Sequence, residues 1–107
     1  MNTAFTRIFA IALAAALSAC TWVELTEEGE AVAVMAKAPA SCKRLGYTSS
    51  MTKGDIATID RNREKVGKEL ETLARNSAAK MGGDVIVPES EISETGEQTF
   101  GIFDCGS

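Results

Sequence analysis

The sequence predicts a small α+β domain in two layers, ββαββ in order: one helix packed on a four-stranded mixed sheet, with one disulfide. Three observations carry this. Apolar residues recur at helical spacing between Asp60 and Met81. Short alternating or apolar runs lie on both sides of that stretch and read as strands. Two cysteines, Cys42 and Cys105, bracket the whole arrangement.

The chain begins with a leader. Met1 to Arg7 is polar with one positive charge, and Ile8 to Leu17 is apolar and uncharged. A bilayer span needs about 20 apolar residues, so this run is too short to cross. A basic start, a short apolar stretch and then small residues make a secretory signal. Residues 1–19 are therefore expected to be removed, with cleavage between Ala19 and Cys20. Residues 20–29 then form a short acidic tether, and residues 30–107 one small domain. The whole chain carries a formal charge of −4, and the removed leader contains Arg7 and no acid. The mature domain is thus more acidic still, which disfavours nucleic acid as a partner.

Trp22 stands two residues after Cys20 and has two placements open to it, the lipid headgroup region or the domain surface. Glu30 to Lys37 alternates Val32 and Val34 with Ala31, Ala33 and Met35, which reads as a first strand. Pro39 breaks it. Arg44 to Thr52 places Leu45, Tyr47, Ser49 and Met51 on one face of a second strand. Val66, Leu70, Leu73, Ala74, Ser77, Ala78 and Met81 form the apolar stripe of a helix within 60–81, its start falling between Asp60 and Glu64. Glu64 with Lys68 and Glu71 with Arg75 add outward pairs, acid first, at i, i+4. Gly67 costs the helix about 1 kcal/mol relative to Ala, which suits a close approach to the sheet. Gly82-Gly83 supplies the stop. Asp84 to Pro88 is a third strand. Residues 89–98 form an acidic loop with a turn at Thr95-Gly96, and Thr99 to Cys105 is the fourth strand, with Phe100 and Ile102 on one face.

With Cys20 set apart as the expected first mature residue, Cys42 and Cys105 are left as one disulfide in an oxidising compartment; a reactive or metal-binding pair is the alternative, disfavoured because the wide spacing lacks the C-x-x-C form. That bridge joins the start of the second strand to the end of the fourth and implies the sheet order 1-2-4-3. It closes a loop of about 60 residues, worth roughly 4 kcal/mol in the chain-entropy view. The chain contains no histidine, which removes Ser-His and Cys-His nucleophile pairs and the usual zinc ligands. Glu89, Glu91, Glu94 and Glu97 are oxygen ligands of the kind calcium takes, but they lack EF-hand spacing and read as a solvated loop. Arg61, Arg63 and Arg75 are diluted by neighbouring acids. The expectation is a non-catalytic protein without metal or cofactor.

Two resemblances extend this. Leu17-Ser18-Ala19-Cys20 resembles the bacterial lipobox. It implies that Cys20 becomes the lipidated N-terminus, carrying several acyl chains, palmitate among them, enough for stable anchoring. Thr21 rather than Asp follows it, which implies the outer membrane, periplasm-facing, with the inner membrane as second choice. The mature chain also has Thr21-Trp22-Val23, Cys42 before Leu45-Gly46, Glu69-Leu70, Leu73-Ala74-Arg75-Asn76, Ala79, Met81 to Val85 and Phe103-Asp104-Cys105. These resemble a family of small bacterial lipoproteins known as a domain of unknown function. More distantly, the chain is similar to the RcsF-type outer-membrane stress sensors, although it has cysteines for one bridge where those domains carry two. The resemblance implies a protein-interaction or envelope-sensing role with an envelope protein as partner; a purely structural envelope component is the alternative.

Overall fold

Each strand run and the helical stripe finds its place in the computed structural model, which describes residues 23–52 and 62–106. In chain order the elements are α1 (Glu27–Glu30), β1 (Ala33–Val34), β2 (Lys43–Met51), α2 (Arg63–Lys80), β3 (Val85–Pro88) and β4 (Glu97–Asp104). One four-stranded mixed sheet runs β1-β3-β4-β2, parallel between β1 and β3 and antiparallel at the other two pairings. Helix α2 covers one face. Its buried residues Val66, Leu70, Ala74 and Ala78 meet Val32, Ile86, Phe100 and Ile102 in a single core. The steps of four keep these side chains on one stripe. Leu73 and Ser77, expected on that stripe, lie only half-buried at its margin, and Met81 is exposed.

Helix α2 ends as its glycines require. Gly82 takes φ 81°, the Gly83 N–H reaches the Ala78 carbonyl at 2.8 Å and the Gly82 N–H reaches that of Ala79 at 3.1 Å. These two bonds make a Schellman stop and satisfy carbonyls that the helix itself leaves open. At the other end Asn62 makes no capping bond through its side chain. The helix starts at Arg63, within the expected range of Asp60 to Glu64, of which residues 60 and 61 lie outside the described residues. Gly67 does not meet the sheet: a Cβ there would rest 3.5 Å from Ile92 Cδ1 of the loop before β4. The close approach to the sheet belongs to Gly83, where a Cβ would run into Ile102.

Three expectations are corrected. The first strand is two residues long, and Glu30 belongs to α1 instead. Thr26 caps that turn by accepting from the Gly29 N–H at 3.0 Å, and Glu27, Glu28 and Glu30 favour its positive N-terminal end. The sheet order is not 1-2-4-3. Strands β2, β4 and β3 are neighbours as expected, but β1 lies on the far edge beside β3. Consecutive strands usually pair, yet here residues 35–42 cross from one edge to the other. Three strand spacings are about 14 Å, and eight residues reach about 28 Å. A two-residue β1 leaves little length to retrace, so the crossing fits.

The third correction concerns which side chains of β2 face inward. Arg44 pairs with Phe103 and Gly46 with Ile102, so Leu45 is an extra residue in a β-bulge. Each inserted residue reverses the alternation beyond it. Leu45 still packs on the core, but Ser50 and Thr52 are buried while Tyr47 and Met51 are 64% and 60% exposed. At β4 the alternation holds: Phe100 and Ile102 are fully buried under the helix. That strand starts two residues earlier than expected, after a turn in which Gly96 takes φ 79° and donates to the Ser93 carbonyl at 3.0 Å.

Candidate functional site

The sheet has a second face, over which no helix or strand among the described residues packs; Val85 and Val87 on it are nevertheless buried, and its exposed part is the β2 edge at Tyr47 and Met51. Residues directly opposite one another on neighbouring strands share a face. Ile86 and Ile102 are opposed under the helix, so Val85 and Val87, Gly101 and Phe103, and Arg44 and Tyr47 lie on the other side. Two rows result. One runs Ala33, Val85, Phe103, Arg44, and the other Val87, Gly101, Tyr47. Beyond them Ser49 and Thr99 join hydroxyls at 3.1 Å.

Glycine at the centre of this face has a purpose. A Cβ on Gly101 would collide with the ends of Glu89 and Arg44. The absent side chain lets Arg44 of β2 reach across β4 to Glu89, just past β3. The pair is bidentate: Arg44 Nη1 donates to Glu89 Oε2, and Nη2 donates to Oε1 at 3.0 Å. Such fork-to-fork geometry suits guanidinium and carboxylate. The guanidinium also lies over the Phe103 ring, 5.7 Å from its centre. The hydrogen bond from Arg44 holds the Glu89 carboxyl below the ordinary glutamate range, and the same bond raises Arg44.

The bridge stands at one end of the same face. Cys42 and Cys105 are bonded, with Cα atoms 4.2 Å apart and a sequence separation of 63. They continue the β2–β4 register one step beyond Lys43 and Asp104. Neither donates its N–H to the other: Cys42 bonds the Pro39 carbonyl and Cys105 bonds Asp84 Oδ1. The bridge therefore closes a directly opposed pair at the non-hydrogen-bonded spacing, the closer of the two antiparallel spacings.

A second constellation sits on the helix layer. Asn76 Nδ2 donates to the Glu24 carbonyl at 2.9 Å, while the Thr26 N–H and hydroxyl donate to Asn76 Oδ1 at 2.9 and 3.1 Å. Its neighbour Arg75 donates through Nε to the Val32 carbonyl at 2.8 Å and through Nη2 to the Glu30 carbonyl at 3.1 Å. Residues 24–29, expected within the tether, are thus tied to α2 along their backbone.

Of the residues singled out from the sequence, Cys42 and Cys105 are brought together, whereas Ala19 and Cys20 lie outside the described residues. Glu89 pairs with Arg44, and Glu91 and Glu94 are exposed in the loop. Arg63 donates to the Ile92 carbonyl and Arg75 serves the N-terminal segment, so the arginines do not act as one patch; Arg61 lies outside the described residues. Among the described residues no group of three or more acidic or cysteine side chains is placed to hold a metal ion. The Arg44–Glu89 pair and the Asn76 contacts were missed. Their signals were glycines: Gly101 between Phe100 and Ile102 within a strand marks a close approach. Gly29 is the other, where a Cβ would collide with Asn76 Oδ1.

Comparison with curated proteins and with solved structures finds no match. Residues 23–105 match a family described as a domain of unknown function (DUF4156). That span opens one residue before the segment held by Asn76 and closes on the second cysteine of the bridge, so it takes in the helix layer and the whole sheet, and the chain belongs to this family.

Proposed function

We propose that this protein is a lipoprotein of the outer membrane whose periplasm-facing domain is a non-catalytic protein-interaction or envelope-sensing module. The observation that carries the reading is Leu17-Ser18-Ala19-Cys20 after a short apolar run, which gives a signal peptidase small side chains beside the cut and leaves a thiol for the lipid. The Cys42–Cys105 bridge agrees with an oxidising compartment. The interaction role draws on the β2 side of the sheet's second face, where Tyr47 stands exposed one row from Phe103 and Met51 is exposed farther along the same edge. The distant RcsF-type likeness points the same way. A purely structural envelope component is the second reading, favoured by the charged outer face of α2, with Glu64, Lys65, Lys68 and Lys80 exposed.

Mass spectrometry of protein purified from membranes tests the anchor. Acyl mass on an N-terminal Cys20 is expected, and a water-soluble product beginning elsewhere would overturn it. A photo-crosslinking residue at position 47, compared with one at position 65, tests the role. A discrete envelope adduct from position 47 supports interaction through the sheet face. Adducts from neither position favour the structural reading.

A further inference from the structure

We propose that Arg75 and Asn76 form a clamp that fixes how far the domain stands from its membrane. The proposal rests on the reading that Cys20 carries the lipid. A segment joining an anchor to a domain sets the domain's range by the residues left free. Here the first held residue comes early in the mature chain. Glu24 already bonds Asn76 through its carbonyl, Thr26 bonds it twice, and Arg75 holds Glu30 and Val32. Only Thr21, Trp22 and Val23 separate Cys20 from the first held residue. Four Cα steps extend to about 14 Å.

The hold is specific to two side chains. Glu24, Glu27, Glu28 and Glu30 are exposed and Leu25 is half-buried, so little apolar surface ties residues 24–29 down. What ties them is one amide, used at both ends, whose Nδ2 donates and whose Oδ1 accepts in the manner of a neighbouring backbone. Gly29 is part of the device, since a Cβ at that position would collide with Asn76 Oδ1. Val32 is buried in the core, which marks where a released segment would stop peeling. Freeing residues 24–29 would add about 20 Å of reach. The clamp lies on the helix layer, so the open face, across the sheet from it, is turned away from the anchor. A domain held this way scans a thin shell above the bilayer with Tyr47 and Phe103 directed outward.

The test uses the full lipidated protein in phosphatidylethanolamine vesicles containing a dansyl-labelled lipid. Trp22→Phe removes the chain's one tryptophan, and Tyr47→Trp places an energy donor on the open face. Asn76→Ala and Gly29→Ala should each lower transfer to the dansyl lipid. Six Gly/Ser residues inserted between Val23 and Glu24 should lower it equally with the clamp intact. Unchanged transfer in both clamp variants, with loss in the insertion variant, overturns the proposal. Hydrogen exchange provides a readout that needs no vesicle: the Thr26 and Gly29 amides should be protected in the parent and lose protection in Asn76→Ala. Fast exchange of both in the parent also overturns it. A parent protein that fails to float with vesicles while keeping those amides protected refutes the lipid anchor and leaves the clamp standing.

Discussion

At the level of single residues, the centre of the open face is a glycine because two charged side chains cross above it. The groups that a Cβ on Gly101 would meet are the flexible ends of Arg44 and Glu89, not backbone. Gly101→Ala should therefore part the ion pair while leaving the sheet folded. The Glu89 carboxyl reports this directly. In the folded protein it is held below the ordinary range by its hydrogen bond from Arg44. A depressed carboxylate stabilises the fold above its unfolded pKa, and that stability is lost as pH falls through the folded value. NMR titration should find Glu89 the more acidic in the parent and back in the ordinary range in Gly101→Ala. Melting near neutral pH should change little on Glu89→Gln, because both partners are substantially exposed and pairs of that kind contribute little.

Among the elements, α2 contains one glycine and is closed by another, and the two have opposite roles. Gly67 has helical neighbours and room for a methyl, which would meet Ile92 at an ordinary 3.5 Å. Gly67→Ala should stabilise the protein by about 1 kcal/mol through helix propensity and a restricted unfolded chain. Gly82 has φ 81° and open space around it, so Gly82→Ala should cost about 1 kcal/mol from backbone conformation alone. Thermal or urea unfolding of the two variants side by side checks both signs. The helix was legible because its stripe is long and one set of glycines ends it. The inward residues of β4 were legible because Phe100 and Ile102 alternate without interruption. Strand β2 misled because one extra residue at Leu45 reverses every later side chain, and a bulge leaves no mark in composition. The first strand misled because Ala and Val alternate there, whereas what fixes the segment is a capping Thr26 and side chains of Arg75 and Asn76 some 50 positions away. The Arg44–Glu89 pair was hidden for the same reason: its partners meet only once three strands are in register.

Across the whole molecule, the bridge and the helix do different work. Helix α2 joins β2 to β3 and supplies the core, but β1 and β2 are the two edges of the sheet and no hydrogen-bond ladder connects them. Edge β2 carries charged residues at Lys43 and Arg44 and a bulge just beyond, features that discourage pairing with another chain. Its start is also where the chain arrives from β1 after crossing the sheet. Cys42–Cys105 fixes that arrival point to the end of the central strand β4. Breaking it lets residues 35–42 swing and frees the first rungs between β2 and β4. Loss of such a bridge from a small domain typically costs about 2 to 5 kcal/mol, a large share of a marginal total. Cys42→Ser should therefore lower the melting temperature of the domain to about that of the reduced parent, and Cys105 should become available to a thiol reagent. The native, unreduced parent should label at neither cysteine of the pair. An unchanged melting temperature on reduction would mean that the β2–β4 ladder alone holds the edge, and that the bridge adds nothing to the fold.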